Sequence, residues 1–104
     1  MATQSVTIAR IYLREAEHLL SKIIKFLHDE ERVAGVTVLR GITGFSTDGK
    51  IHTASLIDLS LDLPLIVEFY DEPAQVEAVI QHLTQKMNFP HVVSWPATCH
   101  TLGA

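Results

Sequence analysis

One cysteine, Cys99, in 104 residues excludes an internal disulfide framework. Positive charge is scarce as well: 8 Lys and Arg against 12 Asp and Glu leave a formal net charge of −4. Such a chain carries no electrostatic footprint for nucleic acid or for an acidic membrane surface. No apolar run approaches the ~18–20 residues of a transmembrane helix, so direct membrane insertion is not expected. The opening MATQSVTIARIYLRE lacks a basic segment followed by a long apolar one. A secretory leader is therefore not expected, and the cytoplasm is the expected compartment. Internal repeats and low-complexity segments are absent beyond a weak likeness of the two halves. Catalytic constellations are missing too, with no Ser-His-Asp or Cys-His set and no isolated carboxylate pair. An enzyme is not expected. A small isomerase or cofactor-free monooxygenase would have only Glu68 or His52 as its acid or base.

What is present suffices for one core. Hydrophobic residues make up 47% and charged residues 19%, ordinary values for a single globular domain spanning 1–104. Ser5–Arg14 alternates Val6, Ile8, then Ile11 and Leu13 with polar or small residues. It reads as a strand, and the phase slip at Ala9–Arg10 leaves room for a bulge. From Glu17 to Arg32, Leu19, Leu20, Ile23, Ile24 and Leu27 share one face of a four-turn amphipathic helix. Gly35 is a suitable stop. A second strand covers Val36–Gly41, and a third lies within Ile51–Tyr70, broken or at an edge near Pro64. Asp71-Glu72-Pro73 starts a second helix, with Val76, Val79, Ile80, Leu83 and Met87 on its apolar face. Asn88 and Pro90 end it. A short last strand, His91–Trp95, is followed by a frayed polar tail over 97–104.

The order β-α-β-β-α-β predicts an α+β, ferredoxin-like sandwich, an antiparallel four-stranded sheet with both helices on one face. The other face would leave apolar side chains exposed, and copies of the chain are the expected cover.

The segment from Ala34 to Asp71 is where a binding function is expected. Two β-like runs flank a loop bearing Gly41, Gly44 and Gly49, the pattern of a β-ribbon with a mobile tip. GFSTDGK, residues 44–50, matches the first seven positions of the phosphate loop G-x-x-x-x-G-K. Ile51 then stands where the motif needs Ser or Thr, and no helix start follows, so Asp48-Gly49 is better read as a turn. Arg40 puts a guanidinium beside glycine amides that could cradle an anion; the alternative is a surface ion pair with a carboxylate such as Asp58. Glu68, in an apolar strand, either binds something or faces the exposed side of the sheet. Phe89 and Trp95 suit a core or an interface.

Six histidines invite a metal reading. His18, His28 and His82 fall on polar helix faces without the i, i+4 spacing of a ligand pair. His52, His91, Cys99 and His100 are left as candidates for a copper or zinc site.

RIYLRE (10–15), AGVTVLRGITGF (34–45) and IHTASLIDLSLDLPLIVEFYD (51–71) closely resemble the small PII-like proteins catalogued as domain-of-unknown-function family 190. The likeness extends from Arg10 to Trp95. It implies a homotrimer with residues 41–53 in the position of the PII T-loop, and adenine nucleotides bound in the clefts between subunits. Arg40, Gly41, Ile42, Thr43, Gly44 and Glu68 match the nucleotide pocket. Phe45, Asp48, Lys50 and His52 fall in the loop that would meet a partner, a transporter or an enzyme. Departures are plain: KMNFPHVVSW replaces the PII loop TGxxGDGKIF, the chain ends TCHTLGA without C-terminal arginines, and the T-loop tyrosine is missing. With those phosphate-contacting cations gone, the resemblance leaves AMP, ADP, ATP bound otherwise than in the PII manner, a cyclic nucleotide, or no nucleotide at all as the alternatives. A metal-binding protein resembling the copper-tolerance family of the same trimeric fold is the alternative.

Overall fold

The computed structural model describes residues 2–45, 51–53, 62–87 and 91–101, with backbone alone for 52 and 53. In chain order the elements are β1 (Ala2–Arg14), a 3-10 turn (Glu15–Glu17), α1 (Leu20–Lys25) continued by a π turn (Phe26–Glu30), β2 (Gly35–Arg40), β3 (Thr43–Phe45), β4 (Ile51–Thr53), β5 (Pro64–Asp71), α2 (Pro73–Lys86) and β6 (Val92–Thr101). The main sheet runs β2-β5-β1-β6, and β3 pairs with β4 as a separate two-stranded ribbon. Every pairing in the main sheet is antiparallel. The expected ferredoxin-like order is present.

Strand alternation divides the side chains. Ala9, Ile11 and Leu13 of β1 and Leu65, Val67 and Phe69 of β5 are buried against Ile23, Phe26 and Leu27 of α1 and its π turn, and against Val76, Val79 and Leu83 of α2. Successive residues point to opposite faces, so Ile8, Arg10 and Tyr12 look the other way, beside Ile66, Glu68 and Tyr70 of β5. On that open face Tyr12, Leu39, Tyr70 and Val93 are between 38% and 47% exposed. The phase slip in β1 is not a bulge: its register with β5 and β6 is unbroken. The apolar residues simply change face, Val6 and Ile8 lying opposite Ala97 and Trp95.

Several boundaries differ from expectation. The first helix starts at Leu20 rather than Glu17, because the Glu17 carboxylate turns back to accept the Arg14 N–H at 2.7 Å and His18 takes a left-handed φ of 55°. Its end widens: the Glu31 N–H reaches the Phe26 carbonyl at 3.0 Å, which lets adjacent Phe26 and Leu27 both enter the core. Arg32, at φ 50°, provides the left-handed exit expected of Gly35, and Gly35 opens β2 instead. Gly35 faces Tyr70 directly across the sheet, and a Cβ there would collide with the ring. Pro64 begins β5, where a missing N–H costs no ladder bond.

Residues 97–101 are not a frayed tail. β6 continues to Thr101, paired with Ala2, because the still longer β1 offers it a full partner. Pro96 is tolerated since β6 is an edge strand. Asn88 and Pro90, expected to end the second helix, Phe89, expected in a core or an interface, and residues 102–104 lie outside the described residues. No helix among the described residues is long and apolar enough to cross a membrane.

Candidate functional site at the base of the ribbon

The ribbon leaves the main sheet at the end of β2. Arg40 is the last residue paired with β5, opposite Leu65. The Gly41 N–H then donates to the Pro64 carbonyl at 2.8 Å, folding the chain back across the proline ring. A Cβ on Gly41 would sit 2.7 Å from Pro64 Cγ, and one on Gly44 3.3 Å from it. Glycine at 41 is thus required by close approach. Gly41→Ala is expected to cost about 1–3 kcal/mol through overpacking, read as a lower melting temperature. An unchanged melting curve would show that the contact relaxes freely.

Arg40 is engaged. Its Nε donates to Glu15 Oε1 at 2.5 Å and its Nη2 to Glu15 Oε2 at 3.1 Å, a two-pronged pair. The hydrogen bond to Glu15 raises the Arg40 pKa above its ordinary value, so the guanidinium stays charged. The alternative of a surface ion pair holds, with Glu15 as the partner; Asp58 lies outside the described residues.

Glu15 is itself held in place. Its N–H donates to the Leu63 carbonyl at 3.0 Å, the next N–H, of Ala16, reaches Asp62 Oδ1 at 3.0 Å, and Arg14 Nη1 reaches Asp62 Oδ2 at 3.2 Å. The 3-10 turn therefore grips the chain just before β5, while Glu15 grips the last residue of β2. Both strands that flank the ribbon segment converge on one turn.

Glu68 lies elsewhere. It accepts from Arg10 Nε at 2.9 Å, directly across the β1–β5 pairing, and Arg10 stacks 5.5 Å from the centroid of Trp95. Bonds to Glu68 and then Tyr12 raise the Arg10 pKa. Glu68 thus faces the open side of the sheet, the second of its two sequence readings. Arg40 shares the parity of Leu65 and Glu68 does not, so within one chain the two do not meet. Trp95 is half-buried on the same open face.

Ile42 and Phe45, at 79% and 75% exposure, project from the ribbon with Thr43 and Gly44. Phe45 is paired with Ile51, itself 72% exposed. Gly44 pairs with His52, and Ile51–Thr53 is a strand. A phosphate loop of the G-x-x-x-x-G-K kind needs a helix there and is excluded. Asp48 and Lys50 lie outside the described residues.

Among the described residues no group of three His, Cys, Asp or Glu side chains could hold a metal. Cys99 and His100 are neighbours on β6, opposite Gln4 and Thr3, and so point to opposite faces; His91 is exposed just before that strand. The sequence reading missed Glu15 and Asp62. No periodicity links Glu15 to a residue 25 positions away, and only the fold brings them together.

Comparison with known proteins agrees with this fold. Residues 6–99 match the DUF190 family, described as Uncharacterized ACR. UPF0166 protein MJ1524 of Methanocaldococcus jannaschii is 32% identical over 80 residues, covering 73% of each chain. Among solved structures, CPII from Thiomonas intermedia K12, a nitrogen regulatory PII-like protein bound to ADP, AMP and bicarbonate, superposes with a TM-score of 0.64 at 13% identity. That match covers 94% of this chain and 89% of CPII. CutA1 from Oryza sativa superposes at 0.56 with 13% identity, covering 97% and 85%. At these identities the structures establish a shared fold.

Proposed function

The chain belongs to the DUF190 family, and on that premise we propose that it is a non-catalytic, cytoplasmic PII-like regulator that binds an adenine nucleotide between the subunits of a homotrimer. Residues 41–53 act as its output, ordered by ligand and read by a protein partner such as a transporter or an enzyme. The observation that carries this reading is a charged arginine fork beside a glycine turn at the root of the ribbon, where a bound anion would touch the atoms that set the ribbon's geometry. The PII-like fold and the ADP and AMP bound to CPII support the choice of ligand. The open, half-apolar sheet face supports self-association, since an apolar patch of this kind marks an interface. In a trimer, Glu68 of one copy and Arg40 of another become candidates for one cleft, with Gly41, Ile42, Thr43 and Gly44 alongside. Phe45, Asp48, Lys50 and His52 are the proposed partner contacts.

Titration calorimetry against ADP, AMP, ATP and cyclic AMP tests the ligand. ADP or AMP is expected to bind, and silence of all four at millimolar concentration would remove the nucleotide reading. Arg40→Ala is expected to weaken the bound nucleotide about tenfold, the scale of a lost two-pronged, charge-assisted contact, with the mass by light scattering unchanged. Equal affinity would strip Arg40 of its role.

A further inference from the structure

The Arg40 fork is already filled by an anion of the chain's own making. Glu15 uses both carboxylate oxygens on Nε and Nη2, the geometry with which a phosphoryl group meets a guanidinium. Half of the Arg40 side chain is nevertheless exposed, against 22% for Glu15, so an anion can approach from solvent. We propose that Glu15 is an internal competitor, and that a phosphoryl anion binds by taking its place on Arg40.

The backbone of Glu15 cannot retreat, because the Leu63 carbonyl and the Asp62 carboxylate hold the turn. Exchange is therefore a rotation of the side chain alone, and the displaced carboxylate stays close enough to repel the newcomer. A ligand must outbid a local carboxylate on Arg40, which favours the doubly charged end of a phosphate over a second carboxylate, while repulsion from the displaced Glu15 keeps the gain modest. Exchange also cuts a tie. Glu15 joins the end of β2 to the turn that grips residues 62 and 63, so displacing it removes one tie between the flanks of the ribbon and leaves the Arg40–Leu65 pairing and the Gly41–Pro64 hydrogen bond to hold them.

This inference rests on the ligand site proposed above, and the test separates the two. ADP and inorganic pyrophosphate are titrated into wild type, Glu15→Gln, Arg40→Ala and the double variant. Glu15→Gln is expected to bind ADP about two- to fivefold more tightly than wild type, the scale of one part-exposed ion pair, with the gain absent in the double variant. Equal or weaker ADP binding by Glu15→Gln overturns the competitor and leaves the nucleotide reading standing. If ADP is silent while pyrophosphate binds Glu15→Gln more tightly than wild type, the competitor stands and the nucleotide reading falls. Silence of both anions towards wild type and Glu15→Gln overturns both readings. In wild type itself, NMR should show the Glu15 carboxyl carbon moving to a free-carboxylate position as the Arg40 Nε–H resonance shifts with ligand. A shift at Arg40 with Glu15 unmoved overturns the exchange without relying on any variant.

Discussion

Phe69→Ala is expected to lower the unfolding free energy by about 3–5 kcal/mol. Phe69 is fully buried near the end of β5 and belongs to the cluster that joins both helices to the sheet. Its cross-strand neighbours are Ala9 on β1 and Val36 on β2. A small residue on one side is what makes room for the ring, and the same small residue cannot refill the space once the ring is gone. The loss therefore carries a cavity term on top of the transfer term. For a domain near 100 residues it corresponds to a fall in melting temperature of roughly 15 °C or more. Calorimetry at one fixed protein concentration checks it, since the proposed assembly would make the midpoint concentration-dependent. Phe45→Ala is the control. Phe45 is 75% exposed on the ribbon, and its loss should stay within about 0.5 kcal/mol. Equal losses at the two positions would mean that the helix-covered face is not the core.

Leu39→Asp is expected to convert the proposed trimer to a monomer while leaving the circular dichroism of the chain unchanged. Leu39 is 42% exposed and lies opposite Ile66, which in turn lies opposite Tyr12, on the sheet face that no helix among the described residues covers. In a free chain a carboxylate there remains in water and costs little. In an interface every copy would bury one without a partner, a penalty of several kcal/mol per ion. Light scattering of both proteins across micromolar concentrations reads the result. A variant that keeps the wild-type trimer mass would move the interface away from this face. A wild type that is monomeric throughout would remove the shared clefts, and with them the ligand site proposed here.

The two faces explain why some positions could be read in advance and others could not. Leu65, Val67 and Phe69 alternate with Ile66, Glu68 and Tyr70, and that period shows a strand whose sides differ. It does not say which partner Glu68 meets, because Arg10 is 58 residues away. β6 was under-read for a related reason: its outer half, Pro96–Thr101, is polar and starts with proline, and only the length of β1 beside it makes a strand there. The first helix was over-read at its start because the apolar spacing from Leu19 onward does not register that Glu17 is drawn back to Arg14.

Local chemistry along the chain was enough for the element order, the helical face of α2 and the absence of a phosphate loop, because each depends on residues within a few positions of one another. Tertiary packing alone decided that Arg40 is bound to Glu15, that Glu68 is bound to Arg10, and that Arg40 and Glu68 stand on opposite sides of one sheet. Ion pairs form between whatever side chains the strands bring within about 4 Å, and strand register is a property of the whole sheet.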